Sequence, residues 1–266
     1  MNRTAIITGA GGGLAQATAR LLAESGWSLA LVGRDKAALE AVRKDLQRQS
    51  PAPSESIKIV LVKADVSTGE GAVDAVQSAR RLLDEPIGGL VNCAGGVDLR
   101  AAHQTTEAQY RQVLSANLDT AFFSLGAFVE QALADKVNAS MVFVSSVAAR
   151  MGIPRHEAIA AAKGGIESLV RSAAATYAPR GMRVNAVAPG LMRTPSTDKF
   201  FGNPAMEKVL AEQYPLGRWG DVLDTAGAIR YLLGEESSWV TGQVLAVDGG
   251  FTSARTMPRA RPADRS

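Results

Sequence analysis

Apolar positions along the chain fall into short dense runs separated by stretches with helical spacing. Thr4–Thr8 is an uncharged run of small and branched residues, the pattern of a strand buried on both faces. Residues 14–25 follow with helical spacing, Leu21 and Leu22 inward and Gly26 as the stop. The alternation then repeats. Further strands are expected at 29–32, 57–62, 90–92, 140–144, 183–187 and 243–247. Helices are expected at 36–49, within 65–83, at 106–134 and at 158–178, and residues 50–56 read as a Pro/Ser loop.

Strands alternating with helices of this length predict a parallel sheet covered on both faces. The expected fold class is α/β: one doubly wound Rossmann-type domain with a seven-stranded parallel sheet, spanning residues 1–254. Residues 191–220 break the rhythm with Pro195, Gly202, Pro204, Pro215 and Gly217. An insertion after a strand's carboxyl end overlies the ligand crevice of such a sheet, so this segment is expected to be a substrate lid. Its Met192, Phe200, Phe201, Met206 and Trp219 point either to an apolar pocket or to packing of the lid on the body. Between the lid and the last strand the pattern assigns no element.

Composition narrows the classes. With 46% hydrophobic and 21% charged residues, the chain has ordinary globular composition, which excludes disorder as its main state. The formal charge of +3 lies in the tail at 255–266, where Arg255, Arg259, Arg261 and Arg265 stand against Asp264. The body is therefore neutral and no nucleic-acid partner is expected; the tail is expected to be disordered. Cys93 is the single cysteine, and His103 and His156 are the two histidines, so neither an intramolecular disulfide nor a metal site is expected. No run approaches the ~18 apolar residues of a membrane span, and the N-terminus lacks a secretory pattern. A cytoplasmic protein without a membrane partner is expected.

Candidate chemistry begins at the end of the first strand. Thr8-Gly-Ala-Gly-Gly-Gly-Leu-Ala15 leads from that strand into the first helix. Glycines at Gly9, Gly11, Gly12 and Gly13, followed by Leu14, let the backbone approach a pyrophosphate held at a helix N-terminus. Here the chain resembles the short-chain dehydrogenases/reductases, whose Thr-Gly-x-x-x-Gly-x-Gly pattern appears as Thr8, Gly9 and Gly13, with Ala15 in the last place. Further matches follow in order: Asp65-Val66, Asn92-Cys-Ala94-Gly95, Asn117, Ser145-Ser146, Lys163, Pro189-Gly190 with Thr194, and Val240 to Gly250. The resemblance spans Thr4 to Phe251. It implies a bound nicotinamide cofactor, a small-molecule substrate, and a homodimer or homotetramer formed through the helices at 106–134 and 158–178. It also implies that Asp65 caps the adenine amino group. NADP is the expected form: Gly33 stands where an NAD-preferring member carries a carboxylate, and the following Arg34 is suited to a 2′-phosphate.

The resemblance breaks at one position. The family's Ser, Tyr and Lys cooperate, with Tyr four residues before Lys. Alignment on Lys163 places the serine at Ser146, the supporting asparagine at Asn117, and Ile159 at the tyrosine position. Losing a positioned general acid costs roughly 10²–10⁴-fold where the chemistry needs one. No tyrosine occurs between Tyr110 and Tyr177; the first is expected at the surface and the second in packing. His156, seven residues before Lys163, is the nearest replacement if the helix reaches it; otherwise it belongs to a polar loop. Glu157 reads as an exposed helix-start carboxylate, and Tyr214 is a more distant candidate to reach a substrate. Three readings stay open. The first is an NADP-dependent oxidoreductase with altered acid–base machinery acting on a carbonyl or conjugated C=C. The second is a non-redox isomerase, lyase or dehydratase, and the third a non-catalytic NADP-binding protein.

Overall fold

The computed structural model describes residues 3–49 and 57–255. The expected Pro/Ser loop at 50–56 and the basic tail beyond Arg255 lie outside the described residues. Seven strands form one parallel sheet: β1 (Thr4–Thr8), β2 (Ser28–Gly33), β3 (Ile59–Lys63), β4 (Gly89–Asn92), β5 (Ala139–Val144), β6 (Met182–Pro189) and β7 (Val244–Val247). The sheet order is β3-β2-β1-β4-β5-β6-β7. Eight helices accompany it among the described residues: α1 (Gly13–Glu24), α2 (Lys36–Gln49), α3 (Gly69–Leu83), α4 (Glu107–Leu114), α5 (Thr120–Asp135), α6 (Glu157–Tyr177), α7 (Pro204–Glu212) and α8 (Val222–Leu233).

Two apolar cores sandwich the sheet. On one face Leu22 of α1, Leu39 of α2 and Ile229 of α8 meet Ile7, Leu31, Val91 and Val142. On the other, Val76 of α3, Phe128 of α5 and Ile166 of α6 meet Ile6, Leu90, Met141 and Val184. Successive residues of β1 thus feed opposite cores, which is why its run is apolar without alternation. β1 lies between β2 and β4, and the chain crosses the sheet there. This places the crevice at the carboxyl ends of β1 and β4. No helix among the described residues is long and apolar enough to cross a membrane.

The expected helix at 106–134 is divided. A π-helical turn, Ser115–Asp119, separates α4 from α5. Its cause is Asn117, whose side-chain Nδ2 donates to Val113 O at 2.9 Å and so inserts into the helical ladder. Helix α8 fills the stretch to which the sequence pattern assigned no element. A capping box at Asp221 and Asp224 starts it. Arg183, from β6 and 8% exposed, ends it. Its guanidinium donates to the carbonyls of Leu232 at 2.9 Å, Leu233 at 3.3 Å and Gly234 at 2.8 Å. A buried cation there satisfies orphan carbonyls and opposes the negative end of the helix dipole.

Candidate active site

The carboxyl ends of β1, β4, β5 and β6 open onto one cleft of about 430 Å³. One wall is backbone. Gly9 has φ +64°, and a Cβ there would stand 2.7 Å from the N and Cα of Ala94, so steric overlap demands glycine. Gly12 caps α1 without any side-chain hydrogen bond, and Gly13 and Leu14 line the cleft. The first-turn amides of a 12-residue helix therefore face the cleft without a side-chain cap, a cradle suited to an anion. Gly95 is equally confined: a Cβ would lie 2.8 Å from Asn117 Oδ1 and 3.5 Å from Lys163 Nζ.

Other residues singled out in the sequence support this wall from behind. Thr8 and Asn92 are buried neighbours across β1 and β4, joined by Thr8 Oγ1 donating to Asn92 Oδ1 at 2.6 Å. Ala94 N donates back to Thr8 Oγ1 at 3.3 Å. Val66 is core. Gly11 is exposed, with its carbonyl taken by Gln16. Arg34 is exposed at the carboxyl end of β2. Asp65 is exposed two residues after β3, and hydrogen bonds from the amide and hydroxyl of Ser67 hold its carboxyl below the ordinary range. Neither lines the central cleft. A side chain at Gly33 would need a small shift of Leu39, whose Cδ2 an added Cβ would meet at 3.2 Å.

The opposite wall is made of side chains. Ser146 follows β5 by two residues; its Oγ accepts from Ala148 N at 3.2 Å, leaving the hydroxyl proton free for a ligand. Lys163 stands on α6, 8% exposed, and its Nζ donates to Val144 O at 2.8 Å. Burial pulls its ammonium down to about 8, with Cys93 acting weakly the other way. Burial pushes the Cys93 thiol up to about 12 despite the nearby Lys163. Asn117 grips the loop after β4, with Nδ2 to Gly96 O at 3.1 Å and Oδ1 accepting from Gly96 N at 3.3 Å. Cys93, Asn117, Ser146 and Lys163 all line the cleft.

Ile159 lines it too, one helical turn before Lys163 and 4% exposed, packed with Val113 and Ala162. His156 lies just outside α6, at its N-cap, so it does not share a helix face with Lys163 as the spacing suggested. It nevertheless lines the cleft. Its Nδ1 is 2.8 Å from Pro154 O, which makes Nδ1 the protonated donor and leaves Nε2 as the acceptor in the neutral ring. Tyr214 reaches the cleft, but its hydroxyl accepts from Leu191 N at 2.9 Å and its ring packs on Phe251. Burial raises its phenol. Tyr110 is exposed, Tyr177 packs on the core, and Glu157 is exposed.

Part of the segment 191–220 lines the cleft. Pro189, Gly190, Met192, Thr194 and Phe200 line the cleft, whereas Phe201 is buried against Trp219 and Met206 is exposed. Thr194, Ser196 and Thr197 form a hydroxyl cluster beside Gly13, whose added Cβ would lie 3.6 Å from Thr194. Leu99, Ile153, Thr197, Leu210 and Gln213 also line the cleft and were not singled out by the sequence. None carries a motif of its own; their membership depends on chain crossings alone.

A family profile described as enoyl-(acyl carrier protein) reductase matches residues 9–252. The chain belongs to the short-chain dehydrogenase/reductase family. Galactitol 2-dehydrogenase (L-tagatose-forming) from Cereibacter sphaeroides is 35% identical over 249 residues, 93% of this chain and 94% of that one. Among solved structures, a short-chain type dehydrogenase/reductase from Mycobacterium ulcerans superposes with a TM-score of 0.89 at 27% identity, covering 96% of this chain and 91% of that one. An NADPH-bound short-chain oxidoreductase from Pseudomonas aeruginosa PAO1, described as containing an atypical catalytic center, has a TM-score of 0.87 at 29% identity, with 95% and 97% covered. The homologues are dehydrogenases and reductases, and members of the family bind NAD or NADP. The uncapped α1 N-terminus and the glycine cradle of this chain fit such a dinucleotide.

Proposed function

We propose that this chain is an NADP(H)-dependent oxidoreductase with altered acid–base machinery, reducing a carbonyl or conjugated C=C of a small apolar or aromatic substrate. The observation that carries the reading is the setting of Ile159. Ser146, Asn117 and Lys163 surround one cleft with it, yet an alkyl side chain occupies the position before Lys163 where the family's tyrosine belongs. The resemblance to an NADPH-bound relative with an atypical catalytic center supports the same reading.

Each residue has a physical task. Gly9, Gly12, Gly13 and Leu14 bring backbone amides to the pyrophosphate, with Thr194 beside them. Arg34 offers its guanidinium to the 2′-phosphate. Lys163 holds the nicotinamide ribose, and Asn117 with Gly96 fixes the floor beneath it. When bound, the nicotinamide supplies or accepts a hydride at a substrate carbon. Ser146 donates its free hydroxyl proton as a hydrogen bond to the substrate oxygen where charge develops. The proton consumed in the reduction comes from water, either directly or after His156 Nε2 has first taken it up. In conjugate reduction the proton reaches carbon in a later step, so a positioned tyrosine is less needed.

The lining also limits the substrate. Among the described residues it holds no ionisable nitrogen besides Lys163 and His156 and no carboxylate; Leu99, Ile153, Ile159, Met192, Phe200 and Phe251 make it largely apolar. An uncharged substrate with few hydroxyls matches these walls better than a polyol or an anion. Residues 191–220 act as the lid, and dimers or tetramers form through α4–α5 and α6, where Phe122 is 57% exposed.

The test is a panel of neutral ketones and enones with NADPH and NADH, products identified, on wild type and Ile159→Tyr. Turnover with NADPH, lowered by Ile159→Tyr, is expected. A gain of about 10²-fold or more in Ile159→Tyr would mark an impaired carbonyl reductase. No cofactor oxidation across the panel would sink the redox reading.

A further inference from the structure

Glu167 is one turn after Lys163 on α6, is 6% exposed, and does not line the cleft. Its carboxylate joins elements that carry the reacting groups. Oε1 accepts from Ser145 Oγ at 3.0 Å, and both oxygens accept from Arg150 Nε at 3.1 Å. Ser145 is the neighbour of Ser146, and its hydroxyl also lies 3.3 Å from the carbonyl of Lys163. Arg150 closes the short turn Val147–Ala149 that follows Ser146, and its Nη2 donates to Val244 O of β7 at 3.2 Å. One buried carboxylate therefore meets the serine turn, the lysine helix and, through Arg150, the last strand.

A carboxylate in this place is costly unless charge and hydrogen bonds compensate it, and Arg150 and Ser145 do so. An apolar side chain would pack α6 on the sheet equally well, but it would leave Arg150 without its carboxylate and Ser145 with only the longer contact to the Lys163 carbonyl. We infer that Glu167, with Arg150, is a positioning residue that sets Ser146 Oγ and Lys163 Nζ in register across the cleft. The inference rests on the oxidoreductase reading above. Register matters because a misplacement of about 1 Å costs on the order of 10²-fold in rate.

The test compares wild type with Glu167→Gln, which keeps size and an acceptor oxygen, and with Ser145→Ala, which leaves the ion pair intact. Three quantities are read: NADPH affinity by fluorescence, steady-state kcat and KM on the substrate found by the panel, and amide exchange of residues 148–151. Exchange in that turn is expected to quicken about tenfold or more in Glu167→Gln, with the glycine turn at 9–13 unchanged. kcat is expected to fall about tenfold or more while KM and NADPH affinity stay within about threefold, the sign of an interaction needed in the transition state. Unchanged exchange overturns the inference whatever the kinetics. Faster exchange with unchanged kcat also overturns it, leaving Glu167 a packing residue. Absence of turnover in wild type sinks the oxidoreductase reading first and this inference with it, a result told apart from the others by the wild-type assay. Should Glu167→Gln fail to fold, Arg150→Gln, which removes the ion pair from its more exposed partner, carries the same criteria.

Discussion

The two walls of the cleft are built by different means. The wall at the ends of β1 and β4 presents backbone: Gly9, Gly12, Gly13 and Gly95, each hemmed in by neighbours or open toward the ligand. The wall at the ends of β5 and α6 presents side chains: Ser146, His156, Ile159 and Lys163. Backbone recognition depends on the absence of a Cβ, so almost any substitution obstructs it. Side-chain recognition depends on which group projects from an otherwise sound helix. Isoleucine at 159 packs with Val113 and Ala162 and leaves α6 intact, so the chemistry of this wall can change while the fold stays.

That contrast predicts its largest effect at the backbone wall. Gly9→Ala combines a left-handed conformation, costing roughly 1–2 kcal/mol, with overlap on the Ala94 backbone, costing roughly 1–3 kcal/mol. NADPH affinity by fluorescence titration is expected to fall by about 100-fold, or the fold to be lost in thermal melts. An affinity within about threefold of wild type would mean that the turn is only a turn and that the two walls do not differ as argued.

At the side-chain wall, Ser146→Ala and Lys163→Ala are each expected to lower kcat/KM by more than about tenfold on the identified substrate, with folding retained. Unchanged kinetics in both, with normal circular dichroism, would move the chemistry elsewhere. Smaller again is Arg34→Ala at the rim. Loss of one charge-assisted contact of roughly 1.5–3 kcal/mol should weaken NADPH by about tenfold or more and leave NADH untouched. Equal affinity of the wild type for both cofactors would remove the NADP assignment.

A separate effect at the same wall is a pH dependence of stability. Lys163 titrates near 8 in the folded protein, because burial disfavours its charge, and near a lysine's ordinary 10.5 when unfolded. Between these values the unfolded chain binds more protons, so this group's contribution makes stability rise with pH. Below pH 8 both states are protonated and the burial penalty is felt in full; above 10.5 it vanishes. Lys163→Met removes the penalty. Its melting temperature should exceed that of wild type at neutral pH, and the gap should close between pH 8 and 10.5. A gap constant across that window would show that Lys163 is not buried as a cation.

Local pattern was enough for the architecture. Dense apolar strand runs and helical spacing specified a parallel sheet of seven strands with a glycine turn after the first, because each signal lies within a few neighbouring residues. The chain also showed unaided that isoleucine stands four residues before Lys163. What pattern could not reach depends on partners distant in sequence. The tie between the π-helical turn and the loop after β4 comes from Asn117 bonding Gly96, 21 residues away. The end of α8 is held by Arg183, about 50 residues before it, whereas its start is marked locally by the Asp221–Asp224 capping box. His156 stands at the cap of α6 rather than on it, and only the fold brings it to the same cleft as Gln213 and Phe251. Glu167 looks in sequence like any helix glutamate, yet the structure buries it behind Ser145 and pairs it with Arg150. Periodicity reports which face of an element is apolar; hydrogen-bond partners and cleft walls are settled only when distant segments meet, since their energies depend on geometry that no single segment contains.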